Sequence, residues 1–244
     1  MSSAPATVSS ASAVTGAFLR EQLRAPLTLV LLIAIPAFFV LIFASVLGEF
    51  ADALGGTLVE QAATSISAGW AAAFLSGTLG FFQVASSRGA DRRLAAAGLG
   101  PLRVAISRIA AALVLGAIVS AVAFATLWLR SGIEHPLHAA VAILCFSFIY
   151  IGIGAAIGAI IRSPLEGSLL VVLVFSVDAF SGPQMTSSGG LTGWTPTRDA
   201  ADVLIAAGMG MGSPNADWGA MAAVALGALA VALAAFWLAA RTRS

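Results

Sequence analysis

Lysine is absent from this chain of 244 residues, so all twelve basic residues are arginines. A P-loop needs its lysine to reach the β- and γ-phosphates of a nucleotide. No such site is encoded. Cysteine occurs once, as Cys145 within an apolar run, which excludes an internal disulfide and any cysteine-rich metal centre. Cys145 itself reads as a small packing residue. The two histidines, His135 and His138, flank Pro136. Their spacing supplies at most two metal ligands, and they read as loop residues at an interface. Charge is scarce as well. Only 9% of residues are charged and 59% are apolar, whereas a soluble domain carries ~25% and ~45–50%. A domain of ~150–300 residues hides only ~70–75% of its surface, so no soluble fold could bury this much hydrocarbon. The net charge of +1 argues against a nucleic-acid partner. A soluble enzyme is excluded, and lipid must be the solvent.

A spanning helix needs ~20 apolar residues to cross ~30 Å of hydrocarbon. Stretches between charges give six: 27–47, 62–85, 109–129, 139–161, a shorter 167–182 and 218–240. Only the fifth is interrupted, by Asp178 near its end. A membrane barrel would show ~10-residue alternating segments, and these runs do not alternate. The expected fold is an all-α membrane protein of six transmembrane helices over 27–244, preceded by a tail and an interfacial helix over 1–26.

The arginines set the orientation. With the N-terminus cytoplasmic, ten arginines face inward against Glu21, Asp91 and Glu166, while Arg130 and Arg198 face outward with the other eight acids. The balance is +7 inside and −6 outside. Each arginine near an anionic inner leaflet contributes ~1 kcal/mol, so both termini are expected to be cytoplasmic. Residues 1–13 are small and uncharged and read as a disordered tail; they lack the basic region of a secretory signal. In 14–24, Val14, Phe18, Leu19 and Leu23 share a helical face while Arg20, Glu21 and Arg24 stay wet, the pattern of an interfacial helix. Trp128, Trp218 and Trp237 fall near span ends, where indoles favour the headgroups. Pro36 should kink the first span. Gly152, Gly154 and Gly158 give the fourth a small face for close packing.

Two connections are more than turns. The inner loop 86–107 reads SSRGADRRLAAAGLGPLRVAIS: Leu94 and Ala95–Ala97 favour a helix, which Gly98, Gly100 and Pro101 end. A basic start followed by apolar residues suits a docking knob for a cytoplasmic partner, since an exposed Leu94/Leu99 surface is costly uncovered; the alternative is a basic anchor on lipid. The outer segment 178–217 carries a Gly/Ser stretch, then Trp194-Thr-Pro-Thr197, then an apolar run too short to cross. It reads as a broken or re-entrant hairpin, because a structureless loop of that length is rare. Counting from Arg162 puts Asp178 near the outer boundary, within reach of water. Acids at membrane depth are nonetheless functional candidates.

In order, these features resemble the permease subunits of type-2 ABC transporters: a basic stretch LREQLRAP before a span with a mid-helix proline; RGADRRLAAAGLGPLRV after the second span, similar to the family's coupling helix; a fifth span ending Ser-Gly-Pro; and an outer Trp-Thr-Pro-Thr element. The likeness covers roughly 14–244. Arg88-Gly89-Ala90-Asp91 stands where the family has paired glutamates. The resemblance implies an exporter of drug, lipid, peptide or glycan cargo across the cytoplasmic membrane of a bacterial cell. It implies a second permease copy, identical or related, and a separate cytoplasmic ABC ATPase that holds the ATP and magnesium. The permease binds no cofactor or metal and is no enzyme. Asp91, Arg92, Arg93, Leu94, Gly98, Leu99 and Pro101 would meet the ATPase. Trp70, Phe74, Phe81, Phe175 and Asp178 are candidates for the translocation pathway. An ion-coupled carrier needs several buried ionisable groups, and the charge scan leaves at most Asp178. An intramembrane enzyme needs a nucleophile and base, or paired carboxylates, at one depth, and neither set is present. A non-transporting anchor or immunity protein is the remaining alternative.

Overall fold

The computed structural model describes residues 13–20, 24, 26–53, 59–181, 195–211 and 217–241. The expected tail up to residue 12, Glu21 and Leu23 of the amphipathic segment, the Gly/Ser stretch with Trp194, and Gly212 lie outside them, as does the side chain of Arg92.

All regular structure among the described residues is helical. A short α1 covers 13–20. Next come α2 (Pro26–Phe38), a π-helical turn (Phe39–Phe43) and α3 (Ala44–Ala53), then α4 (Glu60–Ala85) and α5 (Arg88–Leu94). After a second wide turn (Ala95–Leu99) follow α6 (Pro101–Ser131), α7 (Pro136–Ile160), α8 (Pro164–Phe180), α9 (Arg198–Gly208) and α10 (Trp218–Arg241). Five helices are long and apolar enough to cross a membrane: Val30–Glu49, Glu60–Ala85, Pro101–Ser131, Pro136–Ile160 and Trp218–Leu238. The fifth apolar run of the sequence forms α8, whose 17 residues extend only ~26 Å at ~1.5 Å per residue. That falls short of a ~30 Å core.

Proline starts four of these helices, at Pro26, Pro101, Pro136 and Pro164, where its missing N–H costs nothing and its φ is already helical. Pro101 therefore launches α6 eight residues before the expected start of the third span at 109. Near Pro36 the irregularity is the π turn, which begins three residues later. Such turns loosen the backbone ladder. Arg130, at the end of α6, donates from Nη1 to the carbonyls of Val40, at 3.2 Å, and Leu41.

The core is built on α4 and α7. Small residues fill the buried length of α4 from Ala62 to Ala73, Ile66 and Trp70 apart, and let the two backbones meet, the usual solution where lipid offers no hydrophobic drive between helices. A Cβ on Gly154 would fall on the Gly77 carbonyl oxygen, and one on Gly80 would lie 2.6 Å from Ile151 O. The small face expected on the fourth span is shared out: Gly154 and Gly158 meet α4, while Gly152 meets Ala228 of α10. Outward residues are bare hydrocarbon, among them Phe38 at 60% exposure, Leu165 at 70% and Leu226 at 67%. These faces suit lipid, and the chain is an integral membrane protein by this measure. Trp128, Trp218 and Trp237 are all exposed, within a turn or so of helix ends.

Candidate functional site

Two buried polar clusters stand out, one at each end of α8's neighbourhood in the bundle. The first centres on Asp178, in the last turn of α8 and only 7% exposed. Its Oδ2 accepts from the Tyr150 hydroxyl of α7 at 2.7 Å and from Thr197 Oγ1 at 2.8 Å. Thr197 directly precedes α9. Among the described residues its Oδ1 has no side-chain hydrogen-bond partner, although it is shielded from solvent. The expectation that Asp178 would be wet is therefore corrected. The start of α9 folds back over the end of α8 and covers the carboxylate, because Ala200, Val203, Leu204 and Ala207 bury one face of α9 on the bundle. Where a hairpin was expected, the described residues hold this single helix, seated on α7 and α4.

A series of aromatic rings leads away from Tyr150, one of the acid's partners. Phe175 lies edge-on to Trp70 (6.5 Å between centroids) and to Tyr150 (6.0 Å), and tilted against Phe74 (5.3 Å). Trp70 also meets Phe180 at 6.3 Å. Phe74 continues the series to Phe39 at 6.5 Å, which stacks on Phe43 at 4.4 Å within the π turn. Of the five pathway candidates, Trp70, Phe74, Phe175 and Asp178 thus fall in one neighbourhood. Phe81 does not. It sits fully buried farther along the same stripe of α4, clustered with Ile157 and Val171 and edge-on to Phe82 at 5.0 Å. Tyr150, Thr197 and Phe39 were not legible as members. The single tyrosine on a buried glycine-rich span was the one available signal.

The second cluster lies under the loop between α4 and α6. Arg108 Nε and Nη2 bind Asp91 Oδ1 at 3.0 and 2.8 Å. Ser87 Oγ donates to Asp91 Oδ2 at 3.0 Å, and Arg108 Nη1 reaches Gln83 Oε1 at 3.5 Å. The guanidinium stacks 3.7 Å from the centre of the Phe18 ring. Phe18, Gln83, Asp91 and Arg108 are all buried and Ser87 half-buried, so α1, α4, α5 and α6 are tied at one point. Arg88 donates to the carbonyls of Gly158 and Ile161, capping the end of α7. The seven residues expected to meet a partner are therefore split: Asp91 turns inward, Leu94 and Leu99 are half-buried, and Arg93, Gly98 and Pro101 remain on the surface. Gly98 holds φ +101° and Gly100 φ +74°, left-handed conformations that only glycine adopts cheaply.

Elsewhere, His138 contacts both His135 (5.6 Å) and Trp218 (5.3 Å), joining the starts of α7 and α10. No group of three or more His, Cys, Asp or Glu able to hold a metal occurs among the described residues. Compared with family models, with curated proteins and with solved structures, the chain matches none.

Proposed function

We propose that the chain is the permease subunit of a type-2 ABC exporter, pairing with a second permease copy and driven by a separate cytoplasmic ATPase that carries the ATP and magnesium. In this reading six helices cross the cytoplasmic membrane with both termini inside. The short α8 makes the fifth crossing, with its shortfall met by local thinning of the bilayer. The charge asymmetry of +7 against −6 supports that orientation.

One observation carries the reading. The α5 segment is gripped from behind by the Asp91–Arg108 pair and offers Arg93, Gly98 and Pro101 on its other side. A surface element fixed to the ends of two long helices transmits a push, where a loose loop would absorb it. A chain without lysine has no P-loop, so the push must come from another molecule. A carrier driven by protons or sodium uses several buried ionisable groups; the outer half of this bundle offers Asp178 alone among the described acids that are buried there.

The test is biochemical. The purified subunit alone should hydrolyse no ATP, and a soluble ABC ATPase should co-purify with it from its own membrane and cross-link to a cysteine placed at Arg93. Turnover by the lone subunit, or an ATPase that neither binds nor cross-links, would overturn the proposal. A phosphatase joined after Gly132 should be active and one joined after Ser244 silent; the reverse pattern would invert the topology.

A further inference from the structure

A carboxylate buried in the outer part of an apolar bundle needs a counter-charge or a proton, because an isolated charge there is strongly disfavoured. Asp178 has two hydroxyl donors, Tyr150 and Thr197, and both serve the same oxygen. Among the described residues Oδ1 accepts no side-chain hydrogen bond, and the Thr197 backbone also lies against the carboxylate. The only buried arginine among the described residues is Arg108, and it is engaged with Asp91 in the other cluster. The acid is thus built into the fold with one oxygen bonded twice and the other buried without a donor among the described residues.

Through Tyr150 the acid adjoins an aromatic row. Phe175 is one turn before Asp178 on α8, and with Trp70, Phe74 and Tyr150 it forms an unbroken set of ring contacts. The set continues through Phe39 to Phe43 on the π turn. Phe39, Phe43, Phe74 and Phe175 are only half-buried, so the row runs from the lipid-facing side of α2 inward to the carboxylate. Aromatic faces attract cations and also accept apolar rings. A carboxylate at the end of such a row has the chemistry to receive an ammonium group.

We propose that Asp178 Oδ1 anchors the ammonium group of an aromatic, cationic cargo that enters along Phe43, Phe39, Phe74 and Phe175, with Tyr150 and Thr197 fixing the carboxylate from the opposite oxygen. The inference rests on the exporter reading and names its cargo class. A flat aromatic body stacked along the rings, with its N–H supplied to Oδ1, satisfies both halves of the site together.

The experiment uses the full chain in lipid nanodiscs without any ATPase, titrated with dansylcadaverine (an aromatic fluorophore bearing a primary ammonium) and with its N-acetylated, neutral form. Saturable binding of the cation is expected, and Asp178→Asn should raise its Kd by about tenfold or more. Phe175→Ala, which leaves the Tyr150–Asp178–Thr197 contacts in place, should weaken it severalfold. The acetylated probe should bind weakly and respond little to Asp178→Asn. Absence of saturable binding, equal affinity for the neutral probe, or an unchanged Kd in either variant would overturn the site; should Asp178→Asn elute as aggregate, Phe175→Ala alone decides. Because no ATPase is present, a failure here leaves the exporter reading intact. Conversely, a missing ATPase leaves the binding result standing.

Discussion

The guanidinium of Arg108 holds the carboxylate of Asp91 through two nitrogens, and the two residues, 17 apart in sequence, sit on opposite sides of the Gly98–Gly100 break. Both are about one-twentieth exposed. A buried pair of this kind adds little over an apolar substitute, but removing one member strands the other charge. Asp91→Ala should therefore cost about 3–5 kcal/mol, read as a fall in the thermal midpoint in detergent. The double replacement Asp91→Leu with Arg108→Met should recover most of the loss. A single variant as stable as the parent would show that the pair does not tie α5 to α6.

Close backbone approach makes the second prediction. Gly154 lies against the Gly77 carbonyl, so no side chain there can move aside to admit a methyl group. Gly154→Ala should destabilise by about 1–3 kcal/mol or more, the usual cost of overpacking. Gly227 on α10 has nothing within 4 Å of its would-be Cβ, and Gly227→Ala should be neutral or gain up to ~1 kcal/mol from helix propensity. Thermal unfolding of the two variants side by side checks this, and equal behaviour would contradict the α4–α7 contact.

The Asp178 cluster joins α7, α8 and the start of α9 through two hydroxyls on one oxygen. Tyr150→Phe and Thr197→Val each remove one donor from a buried carboxylate, and each should cost about 1–3 kcal/mol. Because the survivors share Oδ2, the double variant should depart from additivity, as groups in one network do. Strict additivity in the unfolding free energies would mean that the two hydroxyls do not act on the same acid.

Much of this was legible in the sequence, and the gaps have physical causes. Apolar length alone located the long helices, since the bilayer fixes how much hydrocarbon a crossing needs. Trp70, Phe74 and Phe81 were named through the resemblance without any facing, and on α4 they fall along one stripe. Depth, not direction, separates them. With α4 and α8 antiparallel, Phe74 meets Phe175, while Phe81 crowds the Cβ position of Gly167 near the other end of α8. Gly98 and Gly100 were readable as a break because positive φ selects glycine. The partners Asp91–Arg108 and Tyr150–Asp178–Thr197 were not readable. Each set comes from different elements, and its members meet only once packing has fixed the register of those elements. Burial of Asp178 was missed for the same reason: it depends on α9 folding over it.

The surface of the α5 turn yields the last prediction, which rests on the proposed coupling to an ATPase. Arg93 is exposed and Gly98 is exposed at φ +101°. Neither is drawn into the bundle as the buried Asp91 is. Arg93→Glu should therefore leave the thermal midpoint within about 0.5 kcal/mol of the parent, as surface changes do, yet abolish transport and the stimulation of the partner's ATP hydrolysis. Gly98→Val should act through the backbone, because a β-branched residue in the left-handed region costs roughly 1–2 kcal/mol and would re-aim the turn. Measured together, ATP turnover and cargo movement in vesicles separate the cases. Loss of both with normal stability marks a coupling surface. Full transport by Arg93→Glu would reduce α5 to a basic anchor on lipid.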